Sequence, residues 1–317
     1  MELTFLGTGS GAPSRARNVS ACALHLPQRA EWWLFDCGEG TQHQILSPRA
    51  SHVRLSQLTR IFVTHLHGDH YFGLPGLLAS RALAQGGTSP IDLYGPAPLE
   101  GWLQATLDAS GMRGFGYPLR FHVVRPGELF DDGEFSVSAA PVAHRIEAWA
   151  YAVTERDQPG RFDVDAARAL GIPEGPLYGK LKRGETVTLD DGRTLDGASL
   201  VGPERPGRKV VFSGDTGPSP ELTALAKGAD LLVHEATYAE ADRPLARRAA
   251  HATSVVAAEC ALSAGARALV LTHFSSRYEG GESGASLETL LGEARAVFPE
   301  TRPAYDFLRV GVPRQEA

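Results

Sequence analysis

Residues 64–70 read THLHGDH: His65, His67, Asp69 and His70 crowd into seven positions. Imidazoles and carboxylates are costly to bury unless something pairs them. A packed core gains nothing from such a cluster, whereas a metal ion would pair every member. The run before it, RIFVT (60–64), is apolar and β-branched, the pattern of a buried strand. His65 and His67 stand two apart at its end, so on extended chain they point the same way. Gly68 reads as the pivot of a sharp turn that brings Asp69 and His70 to the same pole. Two pairs of donors aimed at neighbouring points indicate two metals.

Further donors are then expected at other strand ends, and three are there. His144 ends FSVSAAPVAH (135–144), Asp215 ends RKVVFSGD (208–215), and His273 follows ALVLT (268–272). Nitrogen and oxygen donors without thiolate suit zinc, with manganese or iron as alternatives. A carboxylate such as Asp215 can bridge two ions, the arrangement of two-metal hydrolases, whose ions stand about 3.5–4 Å apart. A lone HxH would carry little weight. The run and three later strand-end donors carry the reading together.

Strand-like and helix-like runs alternate along the chain, which predicts an α/β protein. ELTFLGT (2–8), ACALHL (21–26) and EWWLFDCG (31–38) read as early strands. GLPGLLASRALAQG (73–86) has helical spacing and a glycine stop at Gly86. IDLYGP (91–96), a helix over 99–109, LRFHVV (119–124), AWAYAVTE (148–155), DLLVHEATY (230–238), a helix over 285–297 and a final strand PAYDFLRVGV (303–312) complete the pattern. Residues 156–207 break it. They are rich in Pro, Gly and charge, with a short helix DVDAARAL (163–170) and a hairpin TVTLDDGRTL (186–195) turning at Asp191-Gly192. Apolar residues look too sparse there for a core of its own, so the stretch reads as an inserted, projecting arm with a function.

Composition bounds the function. The 317 residues are 43% hydrophobic and 21% charged, as in ordinary globular proteins. No stretch approaches the roughly 18 apolar residues of a membrane span. The first residues, MELTFLGTGSGAP, read as a strand and turn, not a signal peptide. Cys22, Cys37 and Cys260 are scattered and odd in number, which argues for a reducing, cytoplasmic setting. Taken alone, the net charge of −6 argues against a nucleic-acid binder, since phosphate contacts need local Lys and Arg. A concentrated basic patch overrides that argument.

The motif THLHGDH resembles the signature of the metallo-β-lactamase superfamily. FLGTGSGAPSRARNVSA (5–21), LFDCGEGTQHQI (34–45), PVAHRIEAWAY (141–151), FSGDT (212–216), HEATY (234–238), LTHFSSRY (271–278) and GIPEGPLYGKLKRGETVTL (171–189) are together similar to the ribonuclease Z family, the transfer-RNA 3′-processing endonucleases, in its short bacterial form. The resemblance runs in order over nearly the whole chain. It implies an αββα four-layer sandwich over residues 1–317 with a substrate-binding arm at 156–207. It also implies a zinc-dependent endoribonuclease that removes the 3′ trailer from precursor transfer RNA, and a homodimer.

Carried over by residue, the resemblance gives His65, His67 and His144 to one zinc and Asp69, His70 and His273 to the other, with Asp215 between them. Asp69 would also be the general base. Glu235 and His251 would be a non-ligand pair that protonates the leaving oxygen, while His234, on the opposite face of its strand, would be structural. Candidate RNA contacts are Lys180, Lys182, Arg183 and Tyr178 on the arm, and Asn18, Arg17, Ser275 and Arg277 near the metals. Arg243, Arg247 and Arg248, just before His251, form a further basic patch. The competing readings are another dinuclear hydrolase of the superfamily (phosphodiesterase, lactonase or thioesterase) and a non-catalytic scaffold. The arm argues against the first and the complete donor set against the second.

Overall fold

A computed structural model describes residues 1–83, 88–189, 191–279 and 285–315. Among these, two seven-stranded mixed sheets lie face to face. The first runs Arg309–Gly311, Glu2–Gly7, Ala21–Leu26, Glu31–Phe35, Leu58–Phe62, Ile91–Gly95, Leu119–Val123. The second runs Thr301–Pro303, Leu269–Thr272, Leu231–Glu235, Lys209–Phe212, Trp149–Glu155, Phe135–Pro141, Gly127–Asp131. Each is antiparallel on one side and parallel on the other.

Alternation along the strands fills three apolar layers. Phe35 and Phe212 stack between the sheets with centroids 3.7 Å apart, and Trp33 meets Phe135 edge-on. Leu34 and Ile61 face outward, where helices Leu74–Leu83 and Pro98–Ala109 cover them. Val211, Leu232 and Leu271 face helices Pro220–Leu225, Ser254–Ala264 and Leu287–Val297. This is the αββα sandwich expected.

The parallel strands matter most for the site, because their C-terminal ends share one pole. Leu58–Phe62 stops short of His65, which lies in the following segment and bridges Ala148 of the second sheet's side. Thr64 O accepts from Trp149 N at 3.0 Å, and Val63 O from the Tyr151 hydroxyl at 2.7 Å. The two sheets are thus stitched together where the histidines begin.

Two expectations need correction, and two features were not foreseen. Gly68 does not take a left-handed φ; it opens the one-turn helix Gly68–Tyr71, and a Cβ on it would meet the Phe72 ring. The final strand is two: Thr301–Pro303 in the second sheet and Arg309–Gly311 in the first. Between them Asp306 is anchored by Thr8 Oγ1 and Asn18 N (both 2.7 Å), and Phe307 turns the chain at φ 72°. The edge strand Gly127–Asp131 was not foreseen from GELFD, which lacks clear alternation. The arm does have a core: Ala167, Ile172, Leu181, Val187 and Leu200 are buried together. Its members are spread over two helices, the loop between them, the hairpin and the turn Gly197–Leu200, so no local window shows them. The expected glycine stop at Gly86 lies outside the described residues.

The arm leaves the second sheet between Glu155 and Lys209, neighbouring strands that pair antiparallel. Its two legs run side by side: Gln158 and Arg205 exchange backbone hydrogen bonds of 2.9 Å, and Phe162 bridges Val201. A Cβ on Gly160 would stand 1.8 Å from Gly202 O, so the legs approach this closely only with glycine there. Beyond them come helices Val164–Ala169 and Pro176–Lys182 and the hairpin Thr186–Thr188/Thr194–Asp196.

Candidate metal centre and active site

All seven expected donors converge at the shared pole. Donor atoms of His65, His67, His144 and Asp215 lie within 4.8 Å of one another, as do those of Asp69, His70 and His273. Individual separations include His65 Nε2–His67 Nδ1 3.0 Å, His67 Nδ1–His144 Nε2 3.1 Å, His70 Nε2–His273 Nε2 3.3 Å and His273 Nε2–Asp69 Oδ2 3.3 Å. A tetrahedral ion with Zn–N bonds of about 2.0–2.1 Å sets donors about 3.3–3.4 Å apart. Asp215 Oδ2 reaches both groups, at 3.2 Å from His70 Nε2 and 3.6 Å from His65 Nε2.

The outward nitrogens test the fit. His144 Nδ1 donates to Ala250 O (2.9 Å), a group that can only accept, so Nε2 of the neutral ring carries a lone pair inward. His70 Nδ1 donates to Asp36 Oδ2 (2.8 Å) and His65 Nδ1 meets Thr64 Oγ1 (3.0 Å). Thr237 Oγ1 gives its proton to Glu235 Oε2 (2.7 Å) and so accepts from His273 Nδ1 (2.8 Å). Outer partners of this kind fix the tautomer of a metal-binding histidine. The donor set and its supports therefore fit metal ions.

Backbone placement is unusual where it has to be. Asp36 and His273 both follow strands and take left-handed φ values of 57° and 58°, uncommon for residues with a Cβ. Gly214, at φ 59°, lets the chain pass Trp149 O on the way to Asp215, since a Cβ would lie 2.7 Å from that oxygen.

Electrostatics agree with the geometry. Burial pushes the Asp215 carboxyl up, but the imidazoles of His273, His70 and His65 outweigh it and hold it well below the usual carboxylate range. For Asp69, the hydrogen bond and charge of His273, with His70, likewise outweigh burial and lower the pKa. Asp69 Oδ2 also accepts from Gly11 N at 2.7 Å, which ties the N-terminal loop to the site.

Glu235 and His251 stand beside the cluster. Glu235 Oε1 accepts from His251 Nδ1 (2.8 Å) and Thr216 N (2.8 Å). His251 Nδ1 is also 3.3 Å from Thr237 Oγ1, so the Glu235 carboxylate at 2.8 Å is both the nearer and the charged acceptor. Burial lowers the His251 pKa; Glu235, and Asp215 behind it, outweigh this and raise it to about 9. His251 lines an open cavity of about 510 Å³ together with His67, Asp69, Asp215 and His273.

The remaining candidates are less alike. Lys180 and Lys182 are exposed on the arm helix, and Arg183 beside them is paired with Glu185 at 2.6 Å. Tyr178 turns inward, packing on Phe162 with its hydroxyl 3.3 Å from Ile172 O, so it supports the arm's core instead of offering a free ring. Arg17 is buried: it donates to Thr8 Oγ1 and Ala304 O and pairs with Glu279. It is a structural tie, not a surface contact. Arg277 is 3.6 Å from Asp242 and lies over Tyr238. Asn18 is half-buried with its Nδ2 unpartnered, and Ser275 is half-buried just beyond His273. Arg243 pairs with Glu240, whereas Arg247 and Arg248 are exposed on the helix before His251. His234 faces away from the site, as expected.

Asp36 and Thr237 were not singled out from sequence. Asp36 also accepts from Thr64 N (2.8 Å) and Thr64 Oγ1 (3.0 Å), so one carboxylate holds both the His70 ring and the segment entering His65. Asp36 sits just past the end of Glu31–Phe35, the same relation to a strand end that marks the donors, and that was the available signal. Replacing Asp36 by Ala is expected to weaken metal retention about 10–100-fold, the usual cost of losing such a partner. Competition with a chelator measures it, and unchanged affinity would remove Asp36 from the site.

Comparison with known proteins agrees with this geometry. The family model of the metallo-beta-lactamase superfamily matches residues 28–273. Ribonuclease Z of Acaryochloris marina is 54% identical over 315 residues, covering 99% of this chain and 98% of the relative. Ribonuclease Z of Brevibacillus brevis is 52% identical over 317 residues, covering 100% and 98%. The crystal structure of the short form of human tRNase Z superposes with a TM-score of 0.69 at 30% identity, covering 99% of this chain and 100% of that one. With a seven-donor pole built from strand ends and full-length relatives of one kind, the chain belongs to the metallo-β-lactamase superfamily and, within it, to the ribonuclease Z family.

Proposed function

We propose that this chain is a metal-dependent endoribonuclease that removes the 3′ trailer from precursor transfer RNA. The products would be a 3′-hydroxyl on the transfer RNA and a 5′-phosphate on the trailer. The observation that carries the reading is the Glu235–His251 pair set beside the donor cluster at the mouth of one cavity. An alkoxide leaving from ribose is poor and needs a proton, and the pair is built to supply one.

His65, His67 and His144 would hold one zinc ion and Asp69, His70 and His273 a second, with Asp215 shared. Metal bound there acidifies water and neutralises charge on the phosphoryl oxygens. Asp69, oriented by Gly11 N, would take the proton of the attacking water. Glu235 holds His251 by Nδ1, which keeps the ring cationic at neutral pH and leaves Nε2 to donate to the leaving 3′ oxygen. The buried Glu235 is itself held by Thr216 and Thr237, so the ring cannot swing away.

Glu235→Ala and His251→Ala are expected to keep their metals but lose about 10²–10⁴-fold in cleavage of precursor transfer RNA. The double variant should lose little more than either single one, as groups acting as one unit do. A nitrophenyl phosphodiester, whose leaving group needs little protonation, should suffer less; equal losses on both substrates would rule out the acid role.

Substrate grip is assigned to the arm. On an acidic chain, RNA affinity must come from a concentrated patch, and exposed Lys180 and Lys182, with Arg183, supply one on a folded projection. Exposed Arg247 and Arg248, on the helix just before His251, would add positive charge beside the catalytic cavity. In a homodimer the arm could serve the neighbouring subunit's site. Setting in the cytoplasm fits three unpaired thiols, and among the described residues no helix is long and apolar enough to cross a membrane. Binding energy drawn from a remote part of the substrate matters only for large substrates. Replacement of residues 160–203 by a short Gly/Ser linker should therefore abolish precursor transfer-RNA cleavage and spare nitrophenyl phosphodiester hydrolysis. Normal cleavage of transfer RNA by that variant would refute the arm's role in gripping the substrate.

A further inference from the structure

The strand Leu231–Glu235 presents its side chains to two different layers. Leu231 and Val233 enter the core between the sheets, and Leu232 faces the outer helices. His234 shares the Leu232 side and is 1% exposed. There it lines one pocket together with Cys260 of helix Ser254–Ala264, and the Thr223 hydroxyl lies 3.5 Å from that sulfur. His234 Nδ1 is already committed, donating to Glu235 O at 2.7 Å, so Nε2 is the nitrogen left to exchange a proton with the thiol across the pocket.

This trio lines a cavity of about 240 Å³ whose walls include none of the seven metal donors. Its rim residues Pro218, Pro220, Glu259 and Ser263 are exposed, so the pocket is open to solvent. Burial alone would raise the Cys260 thiol, but the imidazole outweighs it and lowers the pKa. Cys22 and Cys37 are fully buried, and burial pushes both thiols far up. The chain thus carries one thiol with a base in an open pocket and two inert ones as internal controls.

We propose that Cys260 is a reactive thiol with His234 as its base, that this pocket admits small peroxides, and that oxidation of the sulfur is felt in the catalytic strand through Glu235. The Cys260 thiolate attacks one oxygen of hydrogen peroxide; the S–O bond forms as the O–O bond breaks, and the sulfur gives up the two electrons that the peroxide gains. The proton on His234 Nε2 passes to the departing hydroxide, which leaves as water. A sulfenic acid and a neutral imidazole remain. The new oxygen occupies the space where ring and sulfur met, so His234 must shift, and its bond to Glu235 O shifts with it. Glu235 is the residue that holds His251. The coupling rests on the acid role proposed above; the reactivity of the thiol does not.

Brief labelling of the full-length protein with iodoacetamide, read by peptide mass spectrometry, should modify Cys260 at least about tenfold faster than Cys22 or Cys37. His234→Gln should slow Cys260 by about tenfold. Equal labelling of the three cysteines, or unchanged labelling in H234Q, would overturn the reactive thiol. Hydrogen peroxide should then remove about half or more of precursor transfer-RNA cleavage, with recovery on adding dithiothreitol, as a sulfenic acid allows. Cys260→Ala should keep its activity in the same treatment. A C260A protein as sensitive as the parent, or a parent indifferent to peroxide, would overturn the coupling. Labelling reads the thiol even if transfer RNA is not the substrate, so the two failures are separable.

Discussion

Asp215 is 3% exposed and has the imidazoles of His65, His70 and His273 within 3.6 Å of one carboxylate oxygen. A carboxylate taken out of water must be compensated by positive charge and hydrogen bonds. Everything at this pole is arranged around that demand. Parallel strands of both sheets end beside it, Gly214 lets the backbone reach it, and Thr64 and Trp149 join the sheets behind it. The rings that surround it are not free to turn away, because Asp36, Thr64 and Thr237 hold their outer nitrogens. Metal ions held by the two donor groups would meet the demand better than protons on the rings, since the imidazoles could then stay neutral and act as donors.

The candidate donors were legible because His144, Asp215 and His273 follow apolar strands and His65, His67, Asp69 and His70 crowd into one run after Leu58–Phe62, and strand ends are points where a sequence pattern predicts position in space. What supports them was less legible. Asp36 looks like any aspartate before a glycine turn until His70 is seen against it, 34 residues away. Thr237 matters through its single proton, which no pattern reveals. Arg17 and Tyr178 looked like free surface groups, but Arg17 is tied to Ala304 near the other end of the chain, and Tyr178 packs on Phe162 with its hydroxyl toward Ile172. The arm's core escaped notice for the same reason: its five buried residues come from separate elements. The final segment was read as one strand because PAYDFLRVGV is uniformly strand-like, whereas the anchor on Asp306 splits it between the two sheets.

The strand Leu231–Glu235 links three parts of the molecule. Its inward side chains pack the central core, Glu235 at its end orients His251, and His234 faces a thiol on the outer helical layer. Thr237, two residues on, ties Glu235 to His273. The acid pair and the metal pole are therefore not independent modules: both hang on one strand end. The arm is the opposite case. It has its own buried cluster and joins the body through two paired legs, so changes in it need not disturb the pole.

Metal content of the purified protein, compared with Asp215→Ala by elemental analysis, tests the central claim most directly. The account predicts about two zinc ions per parent chain, as a two-metal hydrolase needs, and loss of metal together with activity in the variant. Active parent protein without metal, or a variant that keeps both ions, would contradict it.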